Sequence, residues 1–132
     1  IRYFNLETAT EPPSLITADL SFISLELILA KFRELIVFDG ELITLIKPQF
    51  EAGREKVGKK GVVRERKTHQ EVIERLKQNG PKYGWYLNQL TYSPLRGPEG
   101  NIEYLGYWRL NETSTKITVA EIVNVAWEEL DV

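Results

Sequence analysis

Cysteine and methionine are both absent from the 132 residues, and histidine occurs once. Without a thiol there is no disulfide framework, no thiolate metal site and no cysteine nucleophile, and the lack of disulfides suits a reducing compartment. A single histidine rules out paired-histidine metal motifs, and no metal is expected. No apolar run approaches the roughly 18 residues that a membrane span requires, and the amino terminus lacks the basic-then-apolar pattern of a secretory signal. Neither charge is in excess: 17 Lys and Arg stand against 19 Asp and Glu, for a net charge of −2. That total excludes a uniformly basic nucleic-acid coat and still leaves room for a basic patch offset by acid elsewhere. The expectation is a soluble, cytoplasmic chain without stable membrane insertion. What is present is enough apolar material, 42% of positions, for one modest core. The missing initiator methionine and an opening, Ile1-Arg2-Tyr3-Phe4, that reads like the middle of an element point to a piece of something longer.

After the Pro12-Pro13 break, residues 15 to 22 read as a short buried strand with an acid, Asp19, at its carboxyl end. Leu25, Ile28, Leu29, Phe32, Leu35 and Ile36 then recur at helical spacing on one face, until Asp39-Gly40 breaks the helix. Residues 41 to 46 form a nearly continuous apolar run, which predicts a central parallel strand covered on both faces and running into Lys47-Pro48. Thr68 and Glu71 have capping-box spacing ahead of Val72, Ile73 and Leu76, predicting a helix from about Thr68 to Asn79, stopped by Gly80-Pro81. Residues 85 to 92 and 102 to 110 are aromatic-rich strand candidates, the second opening on Glu103. Thr118 and Glu121 form a second capping box before Val119, Ile122, Val123, Ala126, Trp127 and Leu130, an amphipathic terminal helix with an acidic outer face. Strands alternating with helices predict an α/β fold with a mostly parallel sheet, and the last two strands, joined by a short loop, predict an antiparallel edge hairpin.

In open α/β sheets ligands bind beyond the carboxyl ends of the parallel strands. Asp19 and Lys47 occupy that position on the first two strands, and Glu103 could reach the same crevice from the adjoining antiparallel strand. The ordinary reading of each residue alone is a helix cap, a strand-end surface charge and a rim residue, respectively.

The surrounding blocks are Asp19-Leu-Ser-Phe-Ile-Ser24, Ile46-Lys-Pro-Gln-Phe-Glu51 with the following Ala-Gly-Arg-Glu-Lys-Val-Gly, and Gly97-Pro-Glu-Gly-Asn-Ile-Glu103. Together, over about residues 15 to 110, they resemble the TlyA family of ribosomal RNA 2′-O-methyltransferases, also known as hemolysins. The resemblance implies an FtsJ-like, Rossmann-like methyltransferase three-layer sandwich that is incomplete, only its carboxyl-terminal half being present. Residues 1–110 would form that part, and residues 111–132 a terminal helix packed on it. It further implies S-adenosylmethionine as cofactor and a Lys-Asp-Lys-Glu tetrad, of which Asp19, Lys47 and Glu103 are the last three members. Asp19, Leu20, Ser21 and Phe22 would border the cofactor, with Arg2 and Tyr3 near its adenine. The first lysine, the glycine-rich cofactor turn and the ribose-binding acid would lie upstream of Ile1, so the chain alone is expected to be inactive.

Such chemistry suits these residue types. A ribose hydroxyl is a poor nucleophile, so methyl transfer needs in-line positioning and removal of a proton. Lys47 would be the base or the alkoxide stabiliser, Asp19 would orient it, and Glu103 would complete the network. Burial lowers a lysine pKa and neighbouring carboxylates raise it.

Between Arg54 and Lys67 seven basic residues face two acidic ones, with Gly53, Gly58 and Gly61 interspersed. Arg54, Lys56, Lys59, Lys60 and Arg64 are candidates for a clamp on the RNA backbone, the partner being ribosomal RNA or ribosomal subunits; the alternative is a solvated loop. His69, beside a helix cap, reads as exposed and structural. Trp85, Tyr86, Tyr92, Tyr104, Tyr107 and Trp108 read as packing rather than base-stacking groups. Two other functions compete: a hemolysin-like membrane-active protein, and a non-catalytic RNA-binding module.

Overall fold

The computed structural model describes residues 13–20, 24–37, 39–53, 57–58, 61–63, 65–97, 100–111 and 116–130. The elements in chain order are β1 (Leu15–Ala18), α1 (Glu26–Leu35), β2 (Glu41–Ile46), α2 (Pro48–Glu51), α3 (Arg66–Asn79), β3 (Tyr86–Tyr92), β4 (Tyr104–Arg109) and α4 (Val119–Glu129).

The four strands form one sheet in the order β1-β2-β4-β3. β1 and β2 run parallel, while β4 is antiparallel to both β2 and β3. The sheet is therefore mixed, not mostly parallel as expected. The short connection does make β3 and β4 an antiparallel hairpin with β3 at an edge, but its second strand inserts beside β2, so antiparallel ladders flank β4 on both sides.

β2 also departs from expectation. Its burial alternates, with Leu42, Thr44 and Ile46 buried and Glu41, Ile43 and Leu45 only partly so. The period of two puts one face of β2 on the core. Across the register Leu42 faces Trp108, Thr44 faces Gly106 and Ile46 faces Tyr104, so the same face of β4 is buried. Trp108 and Tyr104 are fully buried, and the Trp108 indole N–H donates to Thr44 Oγ1 at 3.0 Å.

The helices supply the other side of this core. Ile28, Leu29 and Phe32 of α1, Val72, Ile73 and Leu76 of α3, and Val119, Val123, Ala126 and Trp127 of α4 join the sheet residues in one cluster. The helical spacings read from the sequence thus mark the faces that are buried. The caps differ. α3 begins at Arg66 rather than Thr68, with Glu65 at its N-cap and Thr68 buried in its first turn, so the Thr68–Glu71 box does not form. Thr118 does hold the N-cap position of α4, but makes no side-chain cap bond. Gly80–Tyr83 continues α3 as one 3-10 turn before the chain enters β3.

His69 corrects a further expectation. It is 1% exposed, its Nδ1 lies 2.8 Å from the Tyr104 hydroxyl, and its Nε2 lies 3.3 Å from the Val63 carbonyl. A carbonyl only accepts, so Nε2 carries the proton and Nδ1 accepts from Tyr104. Burial depresses the imidazole pKa to about 4, and burial raises that of the Tyr104 hydroxyl, which remains a donor.

Candidate active site at the sheet rim

Asp19 is the first residue beyond β1 and Lys47 the first beyond β2, and these two strands are parallel neighbours, so both residues lie at one end of the sheet. Their side chains form an ion pair there. The Lys47 side chain is only 11% exposed whereas that of Asp19 is 66% exposed, so the lysine is embedded and the aspartate covers it from the solvent side.

Glu103 immediately precedes β4. Because Ile46 pairs with Tyr104 at the end of the β2–β4 ladder, the antiparallel register carries Glu103 to the same end as Lys47. Glu103 is 7% exposed, and the Gln49 Nε2–H donates to its Oε2 at 2.8 Å. Gln49 belongs to α2, the single turn that starts at Pro48 directly after Lys47. Asp19 and Lys47 are thus in contact, and Glu103 joins the rim through the helical turn that Lys47 opens.

A second buried carboxylate stands behind them. Glu51, the last residue of α2, accepts hydrogen bonds from the Leu25 backbone N–H at 2.6 Å and the Ser24 hydroxyl at 2.7 Å, and pairs with Arg75 at 3.3 Å. Burial pushes its pKa up against these donors. It ties the start of α1 to the turn beside Lys47 and to α3. Ala18, Leu20, Leu25, Leu45, Lys47, Phe50 and Glu51 enclose a small pocket at this corner.

Asn101 fastens the last stretch of the basic segment to the Glu103 approach. Its Oδ1 accepts from the Val63 N–H at 3.1 Å and its Nδ2 donates to the Gly61 carbonyl at 2.9 Å. The Val63 carbonyl is in turn the partner of His69.

Leu20 is described and lines the pocket. Arg2, Tyr3, Ser21 and Phe22 lie outside the described residues, as do Arg54, Lys56, Lys59, Lys60 and Arg64. Of the remaining basic residues of that segment, Arg66 sits in the first turn of α3, its guanidinium 5.6 Å from the Trp127 ring centre. Among the described residues no group of three or more His, Asp or Glu side chains could hold a metal ion. Gln49, Glu51, Arg75 and Asn101 carry the site's scaffold and were not singled out as functional from the sequence. Two signals were available: Pro48 is a residue type favoured at a helix's first position, and Gln49 and Glu51 share one block with Lys47.

Residues 1–109 match the family described as FtsJ-like methyltransferase. The chain is similar to the 16S/23S rRNA (cytidine-2′-O)-methyltransferase TlyA of Mycobacterium tuberculosis, at 35% identity over 104 residues that cover 79% of this chain and 38% of that protein. It is similar to the 23S rRNA (cytidine-2′-O)-methyltransferase TlyA of Campylobacter jejuni, at 38% identity over 112 residues that cover 84% of this chain and 42% of that one. Among solved structures, a "Putative hemolysin from Streptococcus thermophilus" superimposes with a TM-score of 0.91 at 36% identity, covering 98% of this chain and 48% of the other. The chain spans less than half the length of each of these three relatives.

Proposed function

The chain belongs to the FtsJ-like methyltransferase family, and on that footing we propose that the full-length protein methylates a ribose 2′-hydroxyl of ribosomal RNA, with S-adenosylmethionine as donor. The observation that carries this reading is the Lys47–Asp19 ion pair at the carboxyl ends of β1 and β2, with Glu103 brought to the same rim. Two relatives with 2′-O-methyltransferase names support the choice of acceptor.

S-adenosylmethionine supplies an electrophilic methyl group on a sulfonium. The corner pocket bounded by Ala18, Leu20, Leu25 and Lys47 has only about 10 Å³ of internal space, room for a water and not for the methionine arm of such a molecule, so these residues do not by themselves hold the cofactor. Groups for its ribose and amino-acid ends are not found among these wall residues. Lys47 faces the acceptor hydroxyl, either as the base that takes its proton or as the cation that stabilises the oxygen while that proton leaves to solvent. Asp19 fixes the direction of the lysine through the ion pair, and the buried Glu103 carboxylate completes the polar surface against which the ribose is aligned. Residues 1–110 are read as the carboxyl-terminal part of a Rossmann-like methyltransferase sandwich, to which the parallel β1–β2 pair and the β3–β4 hairpin contribute, and residues 111–132 as its terminal helix. Arg54, Lys56, Lys59, Lys60 and Arg64 hold the RNA backbone, and the reaction takes place in the cytoplasm.

The hemolysin name of a relative draws no second reading. α4 exposes Glu121, Glu128 and Glu129, whereas helices that lie on membranes carry Lys and Arg on that face. Among the described residues no helix is long and apolar enough to cross a membrane.

The test is Lys47→Ala in the full-length protein. Methyl transfer to ribosomal RNA should fall by about 10²-fold or more while S-adenosylmethionine affinity stays near the parent value. Retained turnover refutes the role of Lys47.

A further inference from the structure

The Glu103 carboxylate is gripped from two sides. On one side the Gln49 amide donates to it at 2.8 Å, with both side chains nine-tenths or more buried. A carboxylate only accepts, so the amide presents its nitrogen and turns its Oε1 away, where no partner among the described residues meets it. Burying an acceptor unpaired is unfavourable, and a methionine in this slot would avoid it. Local rules broken in this way mark places where function holds the residue.

On the other side lies Gly97, whose missing side chain is the room the carboxylate occupies. A Cβ there would overlap Glu103 Oε2 and come within 2.6 Å of its Cδ. The backbone around this gap is tied down: the Gly97 N–H donates to the Asn101 carbonyl at 2.7 Å, and the Ser93 N–H donates to the Glu103 carbonyl at 2.8 Å.

We infer that Gln49 and Gly97 are positioning residues that set the Glu103 carboxylate for the methyl-transfer step; the inference rests on the rim site proposed above. What must yield to an alanine at position 97 is the far end of a flexible side chain. The fold therefore survives while the carboxylate moves, and a misplacement of about 1 Å is enough to cost on the order of 10²-fold in rate.

In the full-length protein, Gly97→Ala and Gln49→Met should each lower kcat at least about tenfold under conditions where the variants remain folded, with S-adenosylmethionine affinity at the parent value. In a Glu103→Ala background the same substitutions should cost nothing further in single-turnover rate, because nothing remains to be positioned. The 13C shift of the Glu103 carboxyl, expected to move in both variants, gives a readout independent of turnover. If Gly97→Ala does not fold, the Gln49→Met cycle decides alone. A kcat within about twofold of the parent, an unmoved carboxyl shift, or the same loss repeated in the Glu103→Ala background overturns the inference. Lys47→Ala separates the two claims: transfer retained there sinks the rim site itself, whereas transfer lost there but normal in the Gln49 and Gly97 variants sinks only the clamp.

Discussion

A buried neutral imidazole makes the stability of this protein depend on pH in a defined direction. His69 has its pKa lowered from 6.5 to about 4, mainly by burial. The folded state therefore binds its proton less readily than the unfolded chain, so the contribution is fully present above pH 6.5 and is lost as pH falls toward 4. A shift of that size corresponds to roughly 3 kcal/mol. Glu51 has the opposite sign: its raised pKa gives a contribution present at acid pH that fades as pH rises through the folded value. Comparing one variant with the parent isolates the histidine. In urea titrations between pH 7 and pH 4, His69→Gln should show a flatter stability profile than the parent; equal slopes contradict the assignment. The sequence held the clue to this burial, because 69, 72, 73 and 76 are spaced i, i+3, i+4 and i+7, which puts His69 on the apolar face of α3. The adjacent Thr68 drew attention to a cap instead. Gln49 and Gly97 were harder to see, since their roles depend on where Glu103 lies across a long sequence separation.

Among the elements, helices were the legible part. The apolar faces of α1, α3 and α4 follow local spacing, and the core they enter contains the residues that spacing selects. Strand neighbours are a non-local matter. A short loop makes β3 and β4 antiparallel, but nothing local states which of them pairs with β2, and it is β4 that does. That choice is what brings Glu103 to the Lys47 end. It is held in the core by the Trp108 indole N–H bonded to Thr44 Oγ1 across the β2–β4 ladder. Thr44→Val keeps the shape and removes the acceptor, leaving a buried indole donor unpaired. A loss of about 1–3 kcal/mol in denaturant unfolding is expected; an unchanged midpoint would show that this bond does not secure the pairing. α2 was missed because a single turn is too short for periodicity to register, and only Pro48 marks it.

At the level of the whole molecule, one sheet face carries the core and the other is half-open. On that second face Glu41, Ile43, Gln89, Leu90, Thr91, Leu105, Gly106 and Tyr107 line a broad concavity. The chain spans less than half the length of its relatives, and its corner pocket is too small for the cofactor. Calorimetric titration of S-adenosylmethionine into this chain alone should therefore show no tight binding, while a form extended upstream to the relatives' length should bind saturably. Equal affinity in the two would move the cofactor site into the residues described above. The α/β class and the positions of Asp19 and Lys47 just beyond the first two strands were readable from local sequence, whereas the sheet's mixed direction and the scaffold around Glu103 emerge only from the chain's three-dimensional pairing. The central claim is that this rim activates a ribose hydroxyl, and the chemical identity of the product tests it most directly. Ribosomal RNA treated with the full-length protein and S-adenosylmethionine, digested to nucleosides and weighed by mass spectrometry, should yield a nucleoside methylated on the ribose 2′-oxygen that disappears with Lys47→Ala. Methyl groups on a base, or a 2′-O-methyl product that persists in Lys47→Ala, would contradict it.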